Sequence, residues 1–424
     1  MNTMEVDDDH QESNSLEVDE QHLDSNTLEV DDQHPERFEE LRIWRKNACY
    51  LYDLLVLKRN ALPLYSCQWL PKVETCSRQG FFSQTLLLGR GHGDIQGPLQ
   101  VVRLDIPQPE ECYADKLIDE LEKGTQSTSR KLQVLCLGSL DLDIHRVRYS
   151  PHQTSLVAGR TSKASVVLFD ISKIFKSKNY PEAERIDILQ GPPEDGCCFS
   201  LAWDPLREGV LGASGPDNGI YQWQVRDASV VQLSCIRDPQ QQQINDLHFH
   251  PTECIIAAAG EEKRFTLFDS RSHKVIESIE AHEKGVNSIE FHPQNANLFL
   301  TGSDDTNIAL WDRRMTQRAL HRFTDHCASI FEVHWNPVSP SIFASSADNK
   351  VFLWDITRIG APLGQDDIDI KSSPELLFIH SGHIRIVEGL DWNPKVPNII
   401  ATVSADEFIE IWSPGLHVLN LENL

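Results

Sequence analysis

The chain has 424 residues, and its 64 acidic against 39 basic side chains give a net charge of −25, which disfavours direct contact with nucleic acid or an anionic membrane and favours basic protein partners. No run of about eighteen apolar residues exists, so no membrane span is expected. Ten cysteines, none in a Cys-x-x-Cys spacing and only Cys197 and Cys198 close together, together with the lack of a signal peptide, read as reduced and mostly buried thiols of a cytosolic or nuclear protein.

Residues 1–34 read as a disordered acidic tail. Three copies of a twelve-residue unit, MEVDDDHQESNS, LEVDEQHLDSNT and LEVDDQHPERFE, place fifteen Asp or Glu before position 41 against the single Arg37. Such a segment cannot bury enough apolar surface to order itself. It serves either as a solvating tail or as a salt-sensitive electrostatic lure for basic clients. Residues 35–60 read as a helix, with Phe38, Leu41, Trp44, Ala48, Leu51 and Leu55 recurring every three or four positions and Pro63 barring continuation.

Residues 61–424 are a repeat. Seven times an aromatic residue is followed two positions later by proline: Trp69, Tyr149, Trp203, Phe249, Phe291, Trp335 and Trp392. Between these marks stand strand-like runs carrying Phe169, Trp223, Phe268, Trp311, Trp354 and Trp412, and the steps from Phe268 to Trp311 and on to Trp354 are both 43 residues. That step is the four-strand unit of a WD-repeat β-propeller, so the expected fold is all-β with seven blades and a helix packed on the side. The step from Trp354 to Trp412 is 58 residues, which places an inserted loop at 360–374. A less regular first blade runs through YSCQWLP, SQTLLLGR, LQVVRLDIP and LQVLCLGS, interrupted by a polar loop from Pro107 to Lys131.

His, Ser and Asp recur as His282, Ser303 and Asp305, as His326, Ser346 and Asp348, and as His383, Ser404 and Asp406, each Asp six residues before a Trp. A catalytic triad is needed once, whereas a hydrogen-bond chain inside each blade is needed in every repeat. The recurrence therefore reads as structural. With no phosphate loop, nucleophile elbow or metal spacing in the sequence, no enzyme and no cofactor are expected.

Two flanking blocks carry a family resemblance. The stretch IWRKNACYLYDLLVLKRNALPLYSCQWLPKV followed by LLLGRGH, and the block PELLFIHSGH with GLDWNP between Pro374 and Pro394, resemble the histone-binding WD-repeat chaperones of the retinoblastoma-binding and chromatin-assembly small-subunit family. The resemblance implies a non-catalytic scaffold that binds a core-histone helix in a groove between the N-terminal helix and the inserted loop. Carried over by position, the apolar wall is Tyr50, Leu51, Phe378 and Ile379, and the acids are Asp366, Asp367 and Asp369. An amphipathic helix in a groove needs such an apolar floor for affinity and a charged rim for orientation. The implied partners are core histones of the central nucleosome tetramer and members of chromatin assembly, deacetylase or methyltransferase complexes, with the chain monomeric within them. The implied location is the nucleus, with the cytoplasm as a second compartment.

The chain departs from the family pattern in places. Leu62 and Ala61 stand where an aromatic and an acid are usual, and Ser372 and Ser373 replace paired prolines beside Lys371. The ring of acids that the family uses on the top face for a histone tail maps here to Asp143, Cys197, Asn245, Gly285 and Ser329, with Phe199 and Phe331 keeping their aromatic character. One carboxylate in that ring implies weak tail binding. A reading of another class comes from Trp311, Asp312, Arg313 and Arg314, and less closely Phe268, Asp269, Ser270 and Arg271, which resemble the Trp-Asp-x-Arg box of substrate receptors docking on a cullin-type ubiquitin ligase adaptor.

Overall fold

The aromatic-x-Pro marks are where innermost strands stop. In a computed structural model describing residues 35–76, 80–91, 97–107, 133–138, 142–174, 183–189, 198–226, 229–238, 240, 243–362 and 372–419, strands end on Tyr149, Trp203, Phe249, Phe291, Trp335 and Trp392. In five of these six the residue between aromatic and proline caps the turn that follows. Asp204, His250, His292, Asn336 and Asn393 each accept the backbone N–H groups two and three positions on, a local bond that competes with further strand and turns the chain. Only Pro71 differs. It lies inside the long strand Leu64–Thr75, in an irregularity of pairing between Trp69 and Val73, the one place a strand tolerates a missing donor.

The strands form seven four-stranded antiparallel sheets, which are the blades of a β-propeller. Blade 1 spans Leu64–Gly138, blade 2 Ile144–Leu189, blade 3 Leu201–Ile236, blade 4 Ile244–Glu280, blade 5 Val286–Phe323 and blade 6 Ile330–His380. Blade 7 takes three strands from Val387–Pro414 and its fourth from Tyr52–Arg59, so the two ends of the chain close the ring. The polar stretch of residues 108–131, the acidic tail and most of the inserted loop lie outside the described residues.

This closure corrects the expected extent of the N-terminal helix. The helix, α1, spans Pro35–Leu51, and Tyr52–Arg59 is strand, with Leu55 opposite Trp412 rather than on the helical stripe. Strand Phe408–Pro414 would otherwise present an open row of N–H and C=O groups, and satisfying that edge outweighs the helical preference of a leucine-rich run.

Adjacent blades are also stapled by side chains around the central channel. Asp246 accepts the N–H of Ile289, Glu290 that of Trp335, Glu332 that of Leu390 and Asp391 that of Trp69, so inner-strand acids hold neighbouring blades. Arg146 of blade 2 crosses the channel to Asp246 at 2.6 Å and Glu332 at 3.0 Å. Burial opposes the charge on Glu332, but His334 and Arg146 outweigh it and hold the carboxyl down at about 2.

Candidate functional site

The recurring histidines are parts of blades. In blade 5 His282 faces Asp305 at 3.0 Å through Nδ1 and Thr301 at 2.8 Å through Nε2, and Trp311 donates to the same threonine at 2.9 Å. Blade 7 repeats the chain through His383, Asp406, Thr402 and Trp412. The hydroxyls touching the imidazoles are Thr301, Ser345 and Thr402. Ser303, Ser346 and Ser404, which the sequence pattern singles out, bond backbone instead. The legible signal for the right hydroxyl is its place nine or ten residues before the tryptophan that shares it.

Blade 6 breaks the pattern. His326 keeps Ser345, yet Asp348 turns outward and binds Arg37 of α1 at 2.7 Å. Arg37 also donates to the carbonyl of Ile384, and Lys350 meets Glu40 at 3.3 Å, so the start of α1 is clasped to blades 6 and 7. The helix seats Leu41, Trp44 and Ala48, all buried, on a core containing Phe378, Trp392 and Trp412. Trp44 donates to the Tyr52 hydroxyl at 2.8 Å, and that hydroxyl meets His380 Nδ1 at 2.8 Å. Burial pushes the Tyr52 phenol well above its ordinary value, so it stays neutral in this chain of bonds.

The opposite face of α1 is open. Ile43 and Tyr50, seven residues apart and therefore on one side of the helix, are 52% and 65% exposed. Leu51 is half-buried and packs on the core beneath. Phe378 is a core residue: it stands edge-on to Tyr52 with centroids 5.3 Å apart, and beside Trp412 at 6.0 Å. Neighbouring residues of a strand point to opposite faces, so Ile379, exposed, looks away from Phe378 and the two do not share a wall. Asp366, Asp367 and Asp369 lie outside the described residues.

On the top face Asp143 and Phe331 are half-buried. Phe199 stacks on His145 with centroids 5.5 Å apart, and His145 lies 4.8 Å from Tyr65, so three blades contribute one aromatic row beside Asp143 that the sequence pattern did not disclose. Asn245 donates to the Val286 carbonyl and to Asn287, and Cys197 lies outside the described residues. At the other end of the propeller, Asp312 accepts the backbone N–H and two guanidinium bonds of Arg314, which hold its carboxyl down at about 2. Asp269 likewise caps the N–H groups of Ser272 and Arg271, which lowers its pKa. Both acids of the ligase-like box are thus turn caps, and the guanidinium of Arg314 is folded back on its own turn.

A family model whose description names the histone-binding protein RBBP4 and its counterpart in the CAF1 complex matches residues 39–108. That span is α1, the strand closing blade 7 and the first three strands of blade 1. A WD-domain, G-beta repeat model matches residues 273–312 and 317–355. Over the first span the chain is similar to the histone-binding WD-repeat family, and over the second to WD-repeat proteins in general. One relative, the histone acetyltransferase type B subunit 2 of Debaryomyces hansenii, is 26% identical over 398 residues, which cover 91% of this chain and 92% of the relative. The name of that relative refers to one member of a complex. The match to the histone-binding model thus falls on α1, the closing strand and blade 1, and the general repeat match falls on residues 273–312 and 317–355.

Proposed function

We propose that this chain is a non-catalytic scaffold that binds an amphipathic core-histone helix against the outer face of α1 and delivers it to chromatin assembly or histone-modifying complexes in the nucleus. One observation carries the reading: a helix fixed by Arg37, Trp44 and a buried core leaves Ile43 and Tyr50 facing solvent, a large apolar exposure on an otherwise polar helix face. Tyr50, Leu51 and Ile379 supply apolar contact, Phe378 supports Tyr52 from beneath, and Asp366, Asp367 and Asp369 orient the basic face of the ligand. With Asp143 the only carboxylate kept in the family's ring, the top face contributes weak tail binding.

The test is calorimetric titration of the full chain with first-helix peptides from each histone of the central nucleosome tetramer, at two salt concentrations. Micromolar or tighter binding that weakens on Tyr50→Ala and on Asp366→Asn with Asp367→Asn is expected. A folded chain that binds neither peptide removes the reading.

A further inference from the structure

Beneath α1, the seam of blades 6 and 7 departs from its neighbours in a way the histone reading does not use. Three residues before the blade histidine, the outer strands of blades 4 and 5 place Ile279 and Phe323, and two residues before the blade tryptophan blades 5 and 6 place Ala309 and Phe352, all apolar and packed in cores. At the seam of blades 6 and 7 the same two positions are His380 and Glu410, buried to 0% and 2% exposure. Replacing a packed apolar pair by a buried histidine and carboxylate costs stability unless another interaction recovers it.

Two imidazoles and a carboxylate converge here. His380 Nε2 and Glu410 Oε2 lie 2.8 Å apart, yet neither atom has an aligned hydrogen-bond partner among the described residues. His383 Nδ1 lies 3.9 Å from Glu410 Oε1, and its grip on Asp406 is a single 3.3 Å approach, looser than the two approaches of 3.0 and 3.2 Å between His282 and Asp305. Ligand atoms of His380, His383 and Glu410 all fall within 4.8 Å of one another. A zinc-class ion with bonds of about 2.0–2.2 Å separates its ligands by roughly 3–3.5 Å, so small side-chain shifts suffice. Outer partners orient both imidazoles: the Tyr52 hydroxyl holds His380 Nδ1 and Thr402 holds His383 Nε2, leaving the other nitrogens toward the carboxylate. The carboxylate lies so close to Gly382 that any β-carbon there would collide with it. A small surface cleft lined by Leu41, Trp44, Gly382, Asp406 and Glu410 lies beside the carboxylate.

We propose that His380, His383 and Glu410 bind a divalent transition-metal ion of the zinc class, with Asp406 as an adjacent oxygen donor, and that the ion ties blades 6 and 7 to α1 through Tyr52 and Trp44. Two imidazoles and a carboxylate favour zinc over calcium or magnesium, which take oxygen ligands.

The test is titration of the chelator-treated full chain with Co²⁺, read by visible absorption of the four- or five-coordinate ion, and with Zn²⁺ in competition, read also as a rise in unfolding temperature. Glu410→Gln keeps the volume and removes the anionic ligand, and His380→Phe restores the residue type that blade 5 has at Phe323; circular dichroism and unfolding temperature establish that each variant is folded. One tight site per chain, weakened at least a hundredfold in both variants, is the expected result. Absence of a stoichiometric site in the folded wild type, or affinity unchanged in folded variants, overturns the assignment.

Discussion

Tyr50→Ala and Phe378→Ala, which the family resemblance places in one wall, are expected to behave as opposites. Tyr50 is 65% exposed, so its removal leaves stability within roughly 0.5 kcal/mol. Covering roughly 80 Å² of its ring with a ligand helix, at about 25 cal/mol per Å², corresponds to about 2 kcal/mol, or roughly thirtyfold in Kd. Phe378 is 7% exposed and packs on Tyr52 and Trp412. Its truncation opens a cavity under α1 and costs about 3–5 kcal/mol. For a domain of this size that is roughly 4–6 °C in unfolding temperature. Peptide titration and thermal unfolding of both variants separate the two effects. Full affinity in Tyr50→Ala with unchanged unfolding temperature refutes the placement of the ligand on α1, and a wild-type unfolding temperature for Phe378→Ala refutes the packing reasoning.

Arg37→Ala releases the clasp on Asp348 and Ile384; both partners are partly exposed, so the cost is about 1 kcal/mol, seen as faster amide exchange over residues 36–51 while the blades keep their protection. Glu332→Gln leaves Arg146 with one acid and weakens the hold on Leu390, for which denaturant unfolding reads a loss of about 3 kcal/mol. Burial lowers His326 to about 3, so the neutral ring contributes stability that is complete above its ordinary 6.5 and is lost as pH falls from 6.5 towards 3. Burial also opposes charge on His334, but Glu290 and Glu332 prevail and raise it to about 10, so its contribution is complete below 6.5 and is lost as pH rises towards 10. Urea midpoints across pH should show the acid limb flattened by His326→Phe and the alkaline limb flattened by His334→Gln; unchanged limbs contradict these environments.

Local pattern was enough to establish the blades. The aromatic-x-Pro marks and the 43-residue steps between blade aromatics repeat because each blade meets similar neighbours, so one local rule holds in six of seven blades and a periodic sequence displays it. The structural role of His282 and His383 was legible for the same reason. Features made by contact between distant parts were not. Tyr52–Arg59 is strand because residues about 350 positions later offer an edge, and Asp348 leaves its blade because Arg37 arrives from the other end of the chain. Phe378 and Ile379 look like one apolar wall in a string of letters, and only the pleat, together with Tyr52 on one side, sends them to opposite faces. His380 and Glu410, thirty residues apart in sequence, become neighbours through folding of blades 6 and 7, and a buried meeting of that kind leaves no periodic trace.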